Sequence, residues 1–110
     1  MEPIKPCFQP DAAIYLEFND VDEQGEHPMK LEDAAAIWKF LFQHARTDKQ
    51  VIVQCEGGVS RSAAIAKAIR RCRGLDWSMF DRPPYHPNAY CFGLMMKAAG
   101  TWEGSRQQLC

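Results

Sequence analysis

The order of elements along the chain predicts a small α/β domain with a central, mainly parallel sheet flanked by helices. Ala12–Phe18 and Gln50–Gln54 read as strands, and the stretch between them repeats its apolar residues at helical intervals. A strand–helix–strand unit implies a parallel pair joined by a right-handed crossover. The continuously apolar Val51-Ile52-Val53 run suits a strand covered on both faces. At 110 residues, 46% hydrophobic and 25% charged, the chain has the length and composition of one soluble domain.

Residues 1–11 hold three of the seven prolines and read as an irregular arm. Ala12–Phe18 follows as the first strand, enriched in apolar and aromatic residues. Asn19–Pro28 is acidic and turn-rich, hence a loop. From Met29 to about Arg46, Leu31, Ala34, Ala35, Trp38, Leu41, Phe42 and Ala45 share one helix face, a core-forming pattern in which Trp38 is packing. Thr47-Asp48-Lys49 ends that helix. Ser62 to about Arg73 reads as the next one, with Arg70, Arg71 and Arg73 at the end where cations suit the dipole. Gly74 fits its terminator. In Leu75–Tyr85, Trp77, Met79 and Phe80 are expected to fold back onto the core, and Pro83-Pro84 to stiffen the loop. Asn88 is placed to cap a last helix, Ala89 to about Ala99, and 101–110 is a polar tail. Two strands make a thin sheet, so either the arm adds another or the chain is a pared-down version of a larger fold.

Composition narrows the function. A net charge of −1 excludes broad electrostatic capture of nucleic acid or anionic membrane. No apolar run approaches a membrane span, and Met1–Pro6 lacks a signal-like apolar core. The five cysteines, Cys7, Cys55, Cys72, Cys91 and Cys110, are odd in number and form no CxxC pair. That pattern predicts free thiols in a reducing compartment, the cytoplasm. His27, His44 and His86 fall in no ligand pattern with them, so no metal and no cofactor is expected.

Chemistry concentrates at Cys55. A cysteine at a strand end, then Glu56-Gly57-Gly58-Val59-Ser60, then Arg61 and Ser62 opening a helix, is a loop able to curl its N–H groups inward. The glycines permit the backbone angles required, and the helix start adds free N–H groups and a positive dipole end. Such a nest suits a tetrahedral oxyanion, phosphate above all. Arg61 would grip two of its oxygens. Cys55 would be a thiolate nucleophile forming a phosphocysteine, with Ser62 donating to sulfur when it leaves. The plainer alternative is an inert, buried cysteine at a strand end.

The stretch resembles the cysteine-based protein tyrosine phosphatases, especially the small dual-specificity type, whose signature is His-Cys-x-x-Gly-x-x-Arg-Ser/Thr. Here it stands as Gln54-Cys55-Glu56-Gly57-Gly58-Val59-Ser60-Arg61-Ser62, with Cys, second Gly, Arg and Ser in register. Gln54 replaces the histidine, and fewer strands precede the motif than the family has. The resemblance covers about residues 12–99 and implies a reduced form of the dual-specificity phosphatase architecture. It also implies phosphate contacts from Glu56 to Arg61 and a general acid on an upstream loop. Asp20 best matches that setting. Asp22 is the alternative, Glu23 is also available, and Asp33 belongs to a helix start. Tyr85, His86 and Tyr90 are candidates for the pocket rim.

The implied activity is hydrolysis of phosphotyrosine, with phosphoserine and phosphothreonine as further substrates, on a phosphoprotein or a small aryl phosphate. Two alternatives remain: a phosphate-binding module without turnover, and a rhodanese- or arsenate-reductase-like thiol enzyme. A monomer or weak homodimer is expected, since a short sheet leaves an edge for a partner chain.

Overall fold

The computed structural model describes residues 13–44 and 51–101. The expected arm at 1–11, the Thr47-Asp48-Lys49 break and the tail beyond 101 lie outside them. The described elements are α1 (Leu31–His44), α2 (Arg61–Cys72), a 3-10 turn (Ser78–Asp81) and α3 (Ala89–Thr101).

This corrects the predicted fold class. Among the described residues there is no strand and no sheet, and the domain is a small helical one. The reason lies in which faces are covered. In 51–55, Val51, Val53 and Cys55 are partly buried while Ile52 is 46% exposed and Gln54 is exposed. In 13–18, Leu16 and Phe18 turn inward while Ile14 and Tyr15 stay in solvent. Each segment leans one face on the helices, and no ladder joins them. The Val-Ile-Val run is therefore not a two-faced strand.

Helix α3 is the middle element, packing against both α1 and α2. Its sequence, with Lys97 as its one charged residue, is apolar nearly all round, as a helix flanked on several sides must be. Cys91, Met95, Ala98 and Ala99 meet Ala34, Ile37, Trp38 and Leu41 of α1 and Ala64, Ile65, Ala68 and Ile69 of α2 in one core. The alanines of α2 and α3 leave room for close approach. Trp38 is fully buried, and its indole N–H donates to the Met95 carbonyl at 2.8 Å, so burying it strands no donor.

The helix ends follow their sequences closely. Asp33 reaches back to the Lys30 N–H at 2.9 Å, the return half of a capping box. Helix α2 closes in a Schellman motif, Leu75 N–H to the Arg70 carbonyl at 2.9 Å and Gly74 N–H to the Arg71 carbonyl at 3.2 Å. Arg71 stacks over Trp77 and Phe92, and Lys67 pairs with Asp81 at 2.7 Å. The basic end of α2 is thus tied to its neighbours. Trp77, Met79 and Phe80 are half-buried against this surface and lie outside the core to which they were assigned.

Candidate functional site

The site forms where 51–55 turns into α2. Ser60 is the residue that would ordinarily cap this helix, yet its hydroxyl makes no cap bond. The first-turn N–H groups of a helix need acceptors, and here one is given to sulfur. The Cys55 Sγ receives the Ser62 N–H at 3.4 Å and the Gly58 N–H at 3.2 Å, and lies 3.2 Å from the Ser62 hydroxyl. Gly58 adopts φ +69, the left-handed region that aims its N–H at the sulfur.

These contacts decide the state of the thiol. Partial burial disfavours the thiolate, but the Ser62 hydroxyl and N–H, the Gly58 N–H and the Arg61 charge outweigh it and hold Cys55 below the ordinary thiol value. Gln54, beside it, is exposed. Cys91 goes the other way. Fully buried in α3, its thiol is pushed up to about 11 by burial and by the nearby negative charge of Asp20. Cys55 and Cys91 are free thiols. Cys7 and Cys110 lie outside the described residues.

Arg61, the first residue of α2, is oriented by one of its own donors. Its Nη1 donates to the Phe18 carbonyl at 2.9 Å, while its Nε is buried without a hydrogen-bond partner. A buried unsatisfied donor costs about 1–3 kcal/mol, and an anion in the adjacent loop would relieve it.

Asp20 is brought to the same loop across forty positions of sequence. Its Oδ1 accepts the Ser60 hydroxyl at 2.7 Å and the Asn88 carboxamide at 2.8 Å. Partial burial works against its charge, but these two donors and then the Arg61 charge prevail, so the carboxyl is held below its usual range. Of the other acidic candidates, Asp22 accepts the Gln24 N–H at 2.9 Å within its own turn and Asp33 accepts the Lys30 N–H at α1, while Glu23, like Asp20, is exposed.

Two contributors are absent from the sequence reading. Asn88 is expected from the sequence only to cap α3, and Phe18 only to end the first strand. The signal for Asn88 is chemical: a carboxamide oxygen that caps a helix leaves its NH₂ free for another acceptor. The backbone brings it there, since the His86 N–H donates to the Val59 carbonyl at 2.7 Å and the Asn88 N–H to the Ser60 carbonyl at 3.2 Å.

A groove of about 510 Å³ lies beside the loop, lined by Gly58, Ser62, Val51, Val53, Ala66, Ile69, Arg70, Phe80 and Tyr85 among others. Tyr85 lines it and packs edge-on to Phe80. The other proposed rim residues do not: Tyr90 donates to the Met29 carbonyl at 2.9 Å, and His86 is exposed. Among the described residues no group of three or more His, Cys, Asp or Glu could hold a metal ion. No described helix is long and apolar enough to cross a membrane. Comparison of the chain with protein-family models, with curated proteins and with solved structures finds no match.

Proposed function

We propose that the chain is a cysteine-dependent phosphoric monoester hydrolase of the tyrosine- or dual-specificity-phosphatase kind. One observation carries the reading: the Cys55 sulfur receives the Gly58 and Ser62 N–H groups and meets the Ser62 hydroxyl where the loop enters α2, with the Arg61 charge beside it. In the first step Sγ attacks phosphorus, the S–P bond forms, and the ester P–O bond breaks. Asp20 gives its proton to the departing oxygen. In the second step Asp20 takes a proton from water, the new P–O bond forms, and sulfur leaves towards the Ser62 hydroxyl. The N–H groups of Glu56, Gly57, Val59 and Ser60, with Arg61, would hold the phosphate oxygens, while the Gly58 N–H faces the sulfur. The substrate is a phosphotyrosine, phosphoserine or phosphothreonine side chain, or a small aryl phosphate. A reactive thiolate needs a reducing setting, which we take to be the cytoplasm.

Rapid acid quench with a small aryl phosphate tests this. Wild type is expected to trap phosphate on Cys55, and Cys55→Ser to trap none and to turn over nothing. Full turnover by Cys55→Ser would sink the mechanism. One observation favours a second reading, a phosphate-binding module without turnover: Asp20 is held as a carboxylate, which lowers its protonated fraction near neutral pH. Vanadate binding with no phosphocysteine at any pH would select that reading.

A further inference from the structure

Asn88 uses every polar group it has, and the bonds converge from three elements. Its Oδ1 accepts the Cys91 N–H at 3.0 Å, capping α3. Its Nδ2 donates to Asp20 Oδ1 at 2.8 Å and to the Val21 carbonyl at 3.2 Å. Its own N–H donates to the Ser60 carbonyl at 3.2 Å, and the Ser60 hydroxyl meets the same Asp20 oxygen at 2.7 Å. We infer that Asn88 is a positioning residue: it clamps the acid loop to the phosphate loop and pins Asp20 by Oδ1, making Oδ2 the oxygen that carries the catalytic proton. The catalytic half of this inference rests on the phosphatase reading.

The physical case is one of rotors. Asp20 is exposed on an irregular loop, and its carboxyl would otherwise turn freely about a broad torsion. Two donors arriving at one oxygen from different elements stop that rotation. Val21, the next residue, is held by the same carboxamide, so the backbone is fixed along with the side chain. A proton on Oδ2 passes to the leaving oxygen in the first step and is replaced from water in the second, so neither donor to Oδ1 need break. The groups facing Asp20 are Ser60, Arg61 of α2, and Asn88 and Cys91 at the start of α3.

The test compares wild type with Asn88→Ser, which keeps a capping oxygen for Cys91 but loses the carboxamide donors. Tyr90→Phe, which loses only its bond to the Met29 carbonyl, controls for stability. The readouts are the ¹³C carboxyl titration of Asp20 and the pH profile of kcat/KM for phenyl phosphate. Loss of a donor to a carboxylate favours its protonated form, so in Asn88→Ser the Asp20 midpoint should move up. The basic limb of the profile, where the acid loses its proton, should move up with it, while kcat falls about tenfold. Tyr90→Phe should move neither. A midpoint left at the wild-type value, with only thermal stability lowered, would overturn the clamp and leave Asn88 a helix cap. If Asn88→Ser does not fold, Asn88→Asp, an equally good cap, takes its place and should raise the midpoint further by like-charge repulsion. Should wild type prove inactive, the phosphatase reading fails, yet the Asp20 midpoint still decides the clamp.

Discussion

On the phosphatase reading proposed above, replacing Ser62 with alanine should leave the fold intact and cripple the second chemical step. Ser62 is 5% exposed and its hydroxyl lies 3.2 Å from the Cys55 Sγ. Alanine fills nearly the same space and keeps the Ser62-position N–H at 3.4 Å and the Gly58 N–H at 3.2 Å from sulfur. What disappears is one hydrogen bond to a thiolate, worth about 1.5–3 kcal/mol when an acceptor is charged. In the first step the thiolate attacks and surrenders that bond, so its loss is partly offset by a stronger nucleophile. In the second step sulfur departs as an anion and the bond is regained, so the loss falls on the barrier. At about 1.4 kcal/mol per tenfold, hydrolysis of the phosphocysteine should slow about ten- to a hundredfold. Rapid quench with p-nitrophenyl phosphate should then show a burst near one equivalent and a slow steady state. Iodoacetamide alkylation should show the Cys55 thiol moved up from its lowered value. A variant with wild-type steady state, no burst and an unchanged alkylation profile would refute the assignment of the hydroxyl to sulfur.

Two further outcomes follow from the backbone and from burial. Gly58→Ala adds a Cβ that meets nothing within 4 Å, so the penalty is conformational: φ +69 disfavours an L side chain by about 1–2 kcal/mol. Thermal unfolding should register that cost, and alkylation of Cys55 at acidic pH should slow as the N–H swings from the sulfur. Cys91 supplies an alkaline signature. Its folded value is raised, so its contribution is complete below the ordinary thiol value of 9.0 and is lost as pH climbs towards about 11. Urea midpoints should fall across that window in wild type and fall less in Cys91→Ala.

The helices were legible because their signals are local. Ala34, Trp38 and Leu41 recur at the spacing that puts them on one face, and they are buried in α1; Leu31, placed on the same face, is exposed, and Ile37, left off it, is buried. Gly74 ended α2 and Asn88 opened α3 as their chemistry requires. The sheet was misread because pairing is not local: three apolar β-branched or aliphatic residues look alike whether or not another strand lies alongside. Only the exposure of Ile52 and Gln54 separates the cases, and that is a property of the neighbours. The Asp20 contacts show the same limit, since Asn88 stands sixty-eight positions away.

Losing the sheet does not remove the site, because nothing in its geometry hangs on one. The sulfur is served by the first turn of α2, and the carboxylate by the residue that caps α3. Two helices therefore bring their N-termini, each with a partial positive charge, to one small region. Both acids there, Cys55 and Asp20, are held below their ordinary values. Cys91, only three residues past the cap but inside the core, is driven the opposite way. Burial and the Asp20 charge at Cys91, against the Ser62 and Gly58 hydrogen bonds and the Arg61 charge at Cys55, separate the two thiols. The middle helix α3 packs on both partners while its cap is hydrogen-bonded to the loop at Asp20 and Val21. Met95, Ala98 and Ala99, which pack α3 into the core, thus lie on the same helix whose cap meets Asp20.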